Sequence, residues 1–109
     1  MKIVNLTPHS LNILVDGKDI VIPPSGTVAR AATVRKQIGS ITIDGVDIPI
    51  NKTVLGDIDG LPAPADDTIY VVSMLVAQAV PDRDDVFIVD DAVRDDQGRI
   101  IGAKALAHV

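Results

Sequence analysis

Apolar and polar residues alternate in short bursts along this chain, and turn-forming residues interrupt them about every eight to twelve positions, the rhythm of a small sheet or barrel. Ile3–Leu6 and Leu11–Val15 flank a bend at Pro8. Asp16-Gly17 lies between Leu11–Val15 and Asp19–Ile22, and Asp44-Gly45 lies between Ile38–Ile43 and Val46–Ile50. Both are two-residue hairpin signals, because these residue types accept the positive φ that such turns need. A third turn at Gln97-Gly98 separates Asp90–Arg94 from Arg99–Ala105. Three hairpins make antiparallel β the dominant element. Ile22-Pro23-Pro24-Ser25-Gly26 predicts a proline-stiffened turn, followed by a strand at Thr27–Arg35.

Two segments depart from that rhythm. Gly56–Asp67, with Gly60, Pro62 and Pro64, has no periodicity and reads as a loop. Ser73–Val80 is the one helix, with Gln78 almost its sole polar interior residue, so it is expected to be buried nearly all round. Ser73 sits where an N-cap belongs and Pro81 where the helix must stop. Thr68–Val72 before it and Val86–Val89 after it are strand-like. The expected fold class is α+β: a single domain over residues 1–109, mostly antiparallel β in a small barrel or curved sheet, with one short buried helix.

Composition narrows the partners. The hydrophobic fraction is 47% with one Phe, one Tyr and no Trp, so the core must be built from Val, Ile, Leu and Ala. That much apolar character in 109 residues predicts a surface covered by another copy, hence a homo-oligomer. All fifteen acidic residues are Asp, and the net charge of −5 divides into +2 over residues 1–54 and −7 over residues 55–109. An acidic chain with two aromatics lacks the basic patches that duplexes need and the stacking platforms that single strands need. With no cysteine there is no disulfide, thiolate metal site or thiol nucleophile. Two histidines, His9 and His108, are too few for an ordinary zinc site within one subunit. No cofactor and no metal are expected. No segment approaches the ~20 apolar residues of a membrane span, so a cytoplasmic protein without membrane contact is expected.

The chemistry concentrates at Asn5-Leu6-Thr7-Pro8-His9, where proline stiffens a stretch bearing an amide, a hydroxyl and an imidazole. Such a stretch suits a pocket wall and equally a strand ending in a capped turn. Arg83 and Arg94 are candidate phosphate contacts, each with a structural alternative as an ion pair or an exposed charge. Arg30 and Arg35 fall on opposite faces of a regular strand, so at most one can serve an inward pocket. Tyr70 suits base stacking or a satisfied place in the core. Ser73 begins the helix, where free backbone N–H groups attract anions. Thr7, Ser10 and Ser73 stand in no recognisable triad context with His9, while Asp84 and Asp85 are the acidic candidates for a base.

Asn5-Leu6-Thr7-Pro8-His9, Ile22-Pro23-Pro24-Ser25-Gly26, Tyr70-Val71-Val72-Ser73, Val76-Ala77-Gln78-Ala79, Pro81-Asp82-Arg83-Asp84-Asp85, Val93-Arg94-Asp95 and Gly98-Arg99-Ile100-Ile101-Gly102 together resemble a family of small proteins encoded by phages, prophages and bacteria. The likeness spans nearly the whole chain. Small proteins of that setting include inhibitors of host defence, some of which act as sponges for cyclic nucleotide or cyclic ADP-ribose-type signals. The resemblance suggests a non-enzymatic binder, in the host cytoplasm, of a small anionic nucleotide-like ligand, and the side chains whose own chemistry suits that work are Asn5, Thr7, His9, Tyr70, Ser73, Arg83 and Arg94. The alternatives are a nucleotide-cleaving enzyme using His9, or a protein–protein inhibitor of a host factor.

Overall fold

A computed structural model describes residues 1–109 as a mostly-β chain with one short helix. The elements are β1 (Lys2–Asn5), β2 (Leu11–Val15), β3 (Lys18–Ile22), β4 (Arg30–Ile43), β5 (Val46–Asp59), β6 (Thr68–Val71), α1 (Met74–Ala79), β7 (Val86–Arg94) and β8 (Ile100–Ala107). Six strands form one sheet in the order β1-β6-β7-β8-β2-β3, curled into a half-barrel, while β4 and β5 form a separate two-stranded arm.

The hairpin turns fall where the sequence places them. Asp16-Gly17 and Asp44-Gly45 both adopt positive φ at each residue, 54° and 71° in the first turn and 51° and 79° in the second. These are the left-handed pairs that match the twist of antiparallel strands. In the third turn Asp95 Oδ1 accepts from the backbone N–H of Gln97 and of Arg99, with Gly98 at φ 78°.

The sheet itself is mixed. β1 pairs in parallel with β6 over four registered residues, β6 with β7 over two, and β2 with β8 at Ile13↔Ala103 alone. β2–β3 and β7–β8 are antiparallel. The β6–β7 ladder is parallel because β6, α1 and β7 make one crossover unit, with the helix returning the chain to the start of the next strand. Val86–Val89 and Asp90–Arg94 join into one strand, with Asp91 at φ 57° marking the irregular position between them.

The core is small and aliphatic. Leu6, Ala29, Tyr70, Val72, Val76, Ala77 and Val86 are packed together, with Ala31 and Ile58 from the base of the arm and Leu61 from the loop after it packed against them. The helix is shorter and less enclosed than its composition suggests. Only Val76 and Ala77 are buried, whereas Met74 and Leu75 keep 51% and 47% of their surface. The reason is position: the sheet and the arm's base cover one side of α1, and its first turn opens onto grooves described below.

The arm is the largest departure from expectation. The expected strand at Thr27–Arg35 begins only at Arg30, and its residues Arg30–Arg35 join Ile38–Ile43 in one 14-residue strand, while β5 continues through Gly56 to Asp59, leaving a loop of only Gly60–Asp67. Register shifts between Ala31 and Thr33 and between Gln37 and Gly39 reset the alternation within β4. Beyond the second shift, Ile41↔Ile48 and Ile43↔Val46 share one face with Ile50, while Thr42↔Asp47 and Ser40↔Pro49 share the other. Thr42 Oγ1 donates to Asp47 Oδ1 at 2.6 Å on that polar face. The aliphatic face is uncovered, with Ile41 and Ile43 each 49% exposed.

Candidate functional site

The Asn5–His9 segment leaves the end of β1, an edge of the sheet, and crosses to β2, which lies beside the opposite edge. Asn5, 1% exposed, holds that crossing in place. Its Nδ2 donates to the carbonyl of His9 at 2.7 Å and to that of Ile22, at the end of β3, at 3.1 Å. Its Oδ1 accepts from the backbone N–H of Thr7 at 2.9 Å and from Thr7 Oγ1 at 2.7 Å. One amide therefore ties the end of β1 to the end of β3 and shapes the turn between, an Asx-turn followed by the rigid φ of Pro8. Every polar valence of Asn5 is used inside the protein, so it positions the segment from beneath.

Above that brace lie two adjoining grooves. The larger, about 450 Å³, is lined by Thr7, Pro8, His9, Leu11, Val72, Ser73, Met74, Ile88 and Val89. The smaller, about 230 Å³, is lined by Leu6, Thr7, Pro8, Val28, Ala29, Arg30, Ala31, Ser73 and Leu75. Thr7, Pro8 and Ser73 belong to both and form the ridge between them. These residues follow β1 and β6, two strands that run parallel, so the grooves open at the carboxyl ends of those strands, where a twisted sheet leaves a crevice. Apolar walls with a few polar groups are the usual composition of a small-molecule site.

Of the residues expected to bind ligand, Thr7, His9 and Ser73 are brought together here. The imidazole of His9 is exposed and has no hydrogen-bond partner within the chain. Ser73 takes the N-cap position with no side-chain capping bond, and α1 continues for six residues, less than two turns. Ser73 thus contributes a hydroxyl to the ridge.

The other expected contacts lie elsewhere. Tyr70 is in the core, 4% exposed, and its hydroxyl donates to the carbonyl of Ala63 at 3.2 Å. Arg83 makes a two-pronged pair with Asp85, Nε to Oδ1 and Nη2 to Oδ2 both at 2.8 Å, and Nη2 also donates to the carbonyl of Pro62 at 3.1 Å. This cluster precedes β7, at the amino end of the parallel strands, whereas His9 follows the carboxyl end of β1. Arg83, Asp84 and Asp85 are therefore not brought to His9. Arg94 donates to the carbonyl of Gly98 at 2.8 Å across the third hairpin turn. His108 stacks on Phe87 with ring centroids 4.3 Å apart and donates through Nε2 to the carbonyl of Asp84 at 2.8 Å, pinning the turn that carries Arg83. No group of three His or Asp residues is arranged to hold a metal ion, and no helix is long and apolar enough to cross a membrane.

Arg30 is the cation that the grooves do contain. It begins β4, lines the smaller groove beside Thr7 and Ser73, and makes no ion pair. Its signal in the sequence is only the constraint that Arg30 and Arg35 cannot both face inward. Arg35 lies further out, opposite Thr53 on the arm.

The Arg83–Asp85 pair has a pH signature. Hydrogen bonding from Arg83 holds the Asp85 carboxyl below its ordinary range, against the opposing effect of burial. A carboxyl depressed in the folded state binds protons more weakly than in the unfolded chain. Its stabilisation is thus complete above the ordinary carboxylate range and is lost as pH falls through the depressed folded value. Asp85→Asn is expected to lower stability at neutral pH and to flatten the acid limb of the stability curve, measured by urea unfolding at a series of pH values. An acid limb as steep as the parent's would exclude this pair as its source.

Fold and site define a mostly-β domain with an open, two-part groove at one end of a half-barrel. No protein-family model, curated protein or solved structure matches the chain.

Proposed function

We propose that this protein is a non-enzymatic binder that sequesters a small anionic, nucleotide-like ligand in the paired grooves, as a phage anti-defence sponge for a cyclic nucleotide or cyclic ADP-ribose-type signal. The observation that carries the reading is the combination of an unpaired guanidinium, Arg30, with apolar walls, the hydroxyl groups of Thr7 and Ser73 on the ridge, and the imidazole of His9 beside it in the larger groove. A guanidinium supplies a planar, permanently charged fork for phosphate, and the aliphatic walls accept a base or ribose face. The larger groove alone, at about 450 Å³, falls in the size range of ligand pockets. An imidazole without an orienting partner favours binding over catalysis, since a general base works through a fixed tautomer and direction.

The test is retention. The purified protein is incubated with cyclic dinucleotides, cyclic trinucleotides and cyclic ADP-ribose isomers, freed of unbound material and denatured by heat, and the released compounds are identified by mass spectrometry. One intact compound is expected. Arg30→Ala and His9→Ala are each expected to reduce its retention at least tenfold, an effect on the order of 1.4 kcal/mol or more, with unfolding unchanged, whereas Arg94→Ala retains it fully. A shortened product would replace this reading with a nucleotide-cleaving enzyme. Retention of nothing would favour a protein partner.

A further inference from the structure

The arm poses a physical problem that the ligand reading does not touch. An isolated two-stranded hairpin is marginal in water, yet this one runs for 14 residues on each strand and exposes its aliphatic face. The whole chain shares the anomaly. Its radius of gyration is 17.9 Å, against about 13 Å for a compact chain of this length. Its accessible surface is 7534 Å², against roughly 5,800 Å² for a folded monomer of this mass. The excess, on the order of 1,700 Å² per chain, exceeds the ~800 Å² that each partner gives up in a standard stable interface.

Charge on the arm narrows the occupant. Lys36 and Lys52 are direct cross-strand neighbours, a like-charge pair that destabilises a lone hairpin. By register they share the aliphatic face, about four residues from Ile41↔Ile48 towards the body, while the Asp44 turn lies about as far on the other side. A two-fold axis at the level of Ile41↔Ile48 therefore superposes the lysine pair of one arm on the Asp44 turn of another. The same operation sets Ile41 and Ile48 against their own copies, and Ile43 and Val46 at the level of Ile50 of the partner subunit.

We propose that the aliphatic face of the β4–β5 arm is a self-association surface, on which a second copy of this chain packs its own arm face to face and antiparallel. The contact is isologous, so the same patch serves both copies and the assembly closes as a dimer. It buries the apolar face and gives each Lys36–Lys52 pair an acidic neighbour in Asp44 of the partner subunit.

Sedimentation or light scattering of the full chain over a range of concentrations tests it. The parent is expected to weigh twice 11.5 kDa at micromolar concentration. Ile41→Asp with Ile48→Asp is expected to raise the dimer dissociation constant at least 100-fold, with circular dichroism unchanged because the altered residues lie beyond the core. Ser40→Asp on the polar face is the control and leaves the dimer intact. Lys36→Asp with Lys52→Asp weakens association at least tenfold, and adding Asp44→Lys restores it, a rescue that only arm-on-arm antiparallel packing explains. A monomeric parent at 100 μM, on the order of a weak-complex dissociation constant, would overturn the proposal. So would a dimer indifferent to the Ile41/Ile48 pair, or a failure of the charge reversal to rescue. A parent that is monomeric alone but captures a different polypeptide through this face would assign the arm to that partner and equally overturn it.

Discussion

Replacing Asn5 with alanine is expected to lower the free energy of unfolding by about 4 kcal/mol, the range for breaking a buried hydrogen-bond network. The amide is 1% exposed and serves four partners: two carbonyls accept from it, and the N–H and hydroxyl of Thr7 donate to it. Alanine leaves the carbonyl of Ile22 and the N–H of Thr7 facing an empty space too confined to re-solvate them well. Asn5→Asp is the sharper version. It keeps the shape and the acceptor for Thr7 while replacing the donor with an oxygen directed at the carbonyls of His9 and Ile22, and it is expected to cost at least as much at neutral pH. Thr7→Val, which removes only the hydroxyl, costs about 1 kcal/mol. Urea unfolding of the three variants checks the ranking. Asn5→Ala within 1 kcal/mol of the parent would show that the edges of the half-barrel meet without this brace.

The second large effect is at Gly60. Its φ is 81°, and a Cβ there would sit 2.5 Å from the carbonyl oxygen of Val28, a backbone atom with little freedom to retreat. Gly60→Ala therefore combines a left-handed backbone penalty with a collision against the strand entry that carries Ala29 and Arg30, and about 3 kcal/mol is expected. Gly98 separates the two contributions. Its φ of 78° is nearly the same, yet a methyl group on its Cα would meet nothing within 4 Å, so Gly98→Ala reports the backbone penalty alone, about 1 kcal/mol. Equal losses at the two positions, by thermal or urea unfolding, would mean that the collision at Val28 is relieved without cost.

What the sequence reveals divides by how local the cause is. Asp16-Gly17, Asp44-Gly45 and the Gln97-Gly98 turn are legible because their φ values are decided by the residues in the turn itself. The parallel pairing of β1 with β6 has no such sign, since Lys2 and Thr68 meet across most of the chain and any apolar strand would satisfy the alternation. The arm is hidden for a different reason. Register shifts after Ala31 and after Gln37 break the period of two, so one strand reads as two, and Gly56-Asp57 gives the end of β5 the composition of a loop. At the site, Thr7 and His9 stand out by sequence because Pro8 stiffens them, and Ser73 because it opens a helix. Arg30 does not, because only tertiary placement distinguishes it from the four other arginines.

The arm also has a property that follows from where its two ends meet. Arg30 and Asp59 are registered partners, so the 28 residues of β4 and β5 begin and finish at one place. To the rest of the chain the arm counts as a short bridge, and the entropy of joining β3 to β6 hardly depends on its length. Residues can be gained or lost beyond Ala31↔Ile58, two per strand so that the aliphatic side keeps its orientation, without disturbing the ridge at Thr7 or the brace at Asn5. The arm is in that sense a ruler. Its length is free to be set by the distance it must reach.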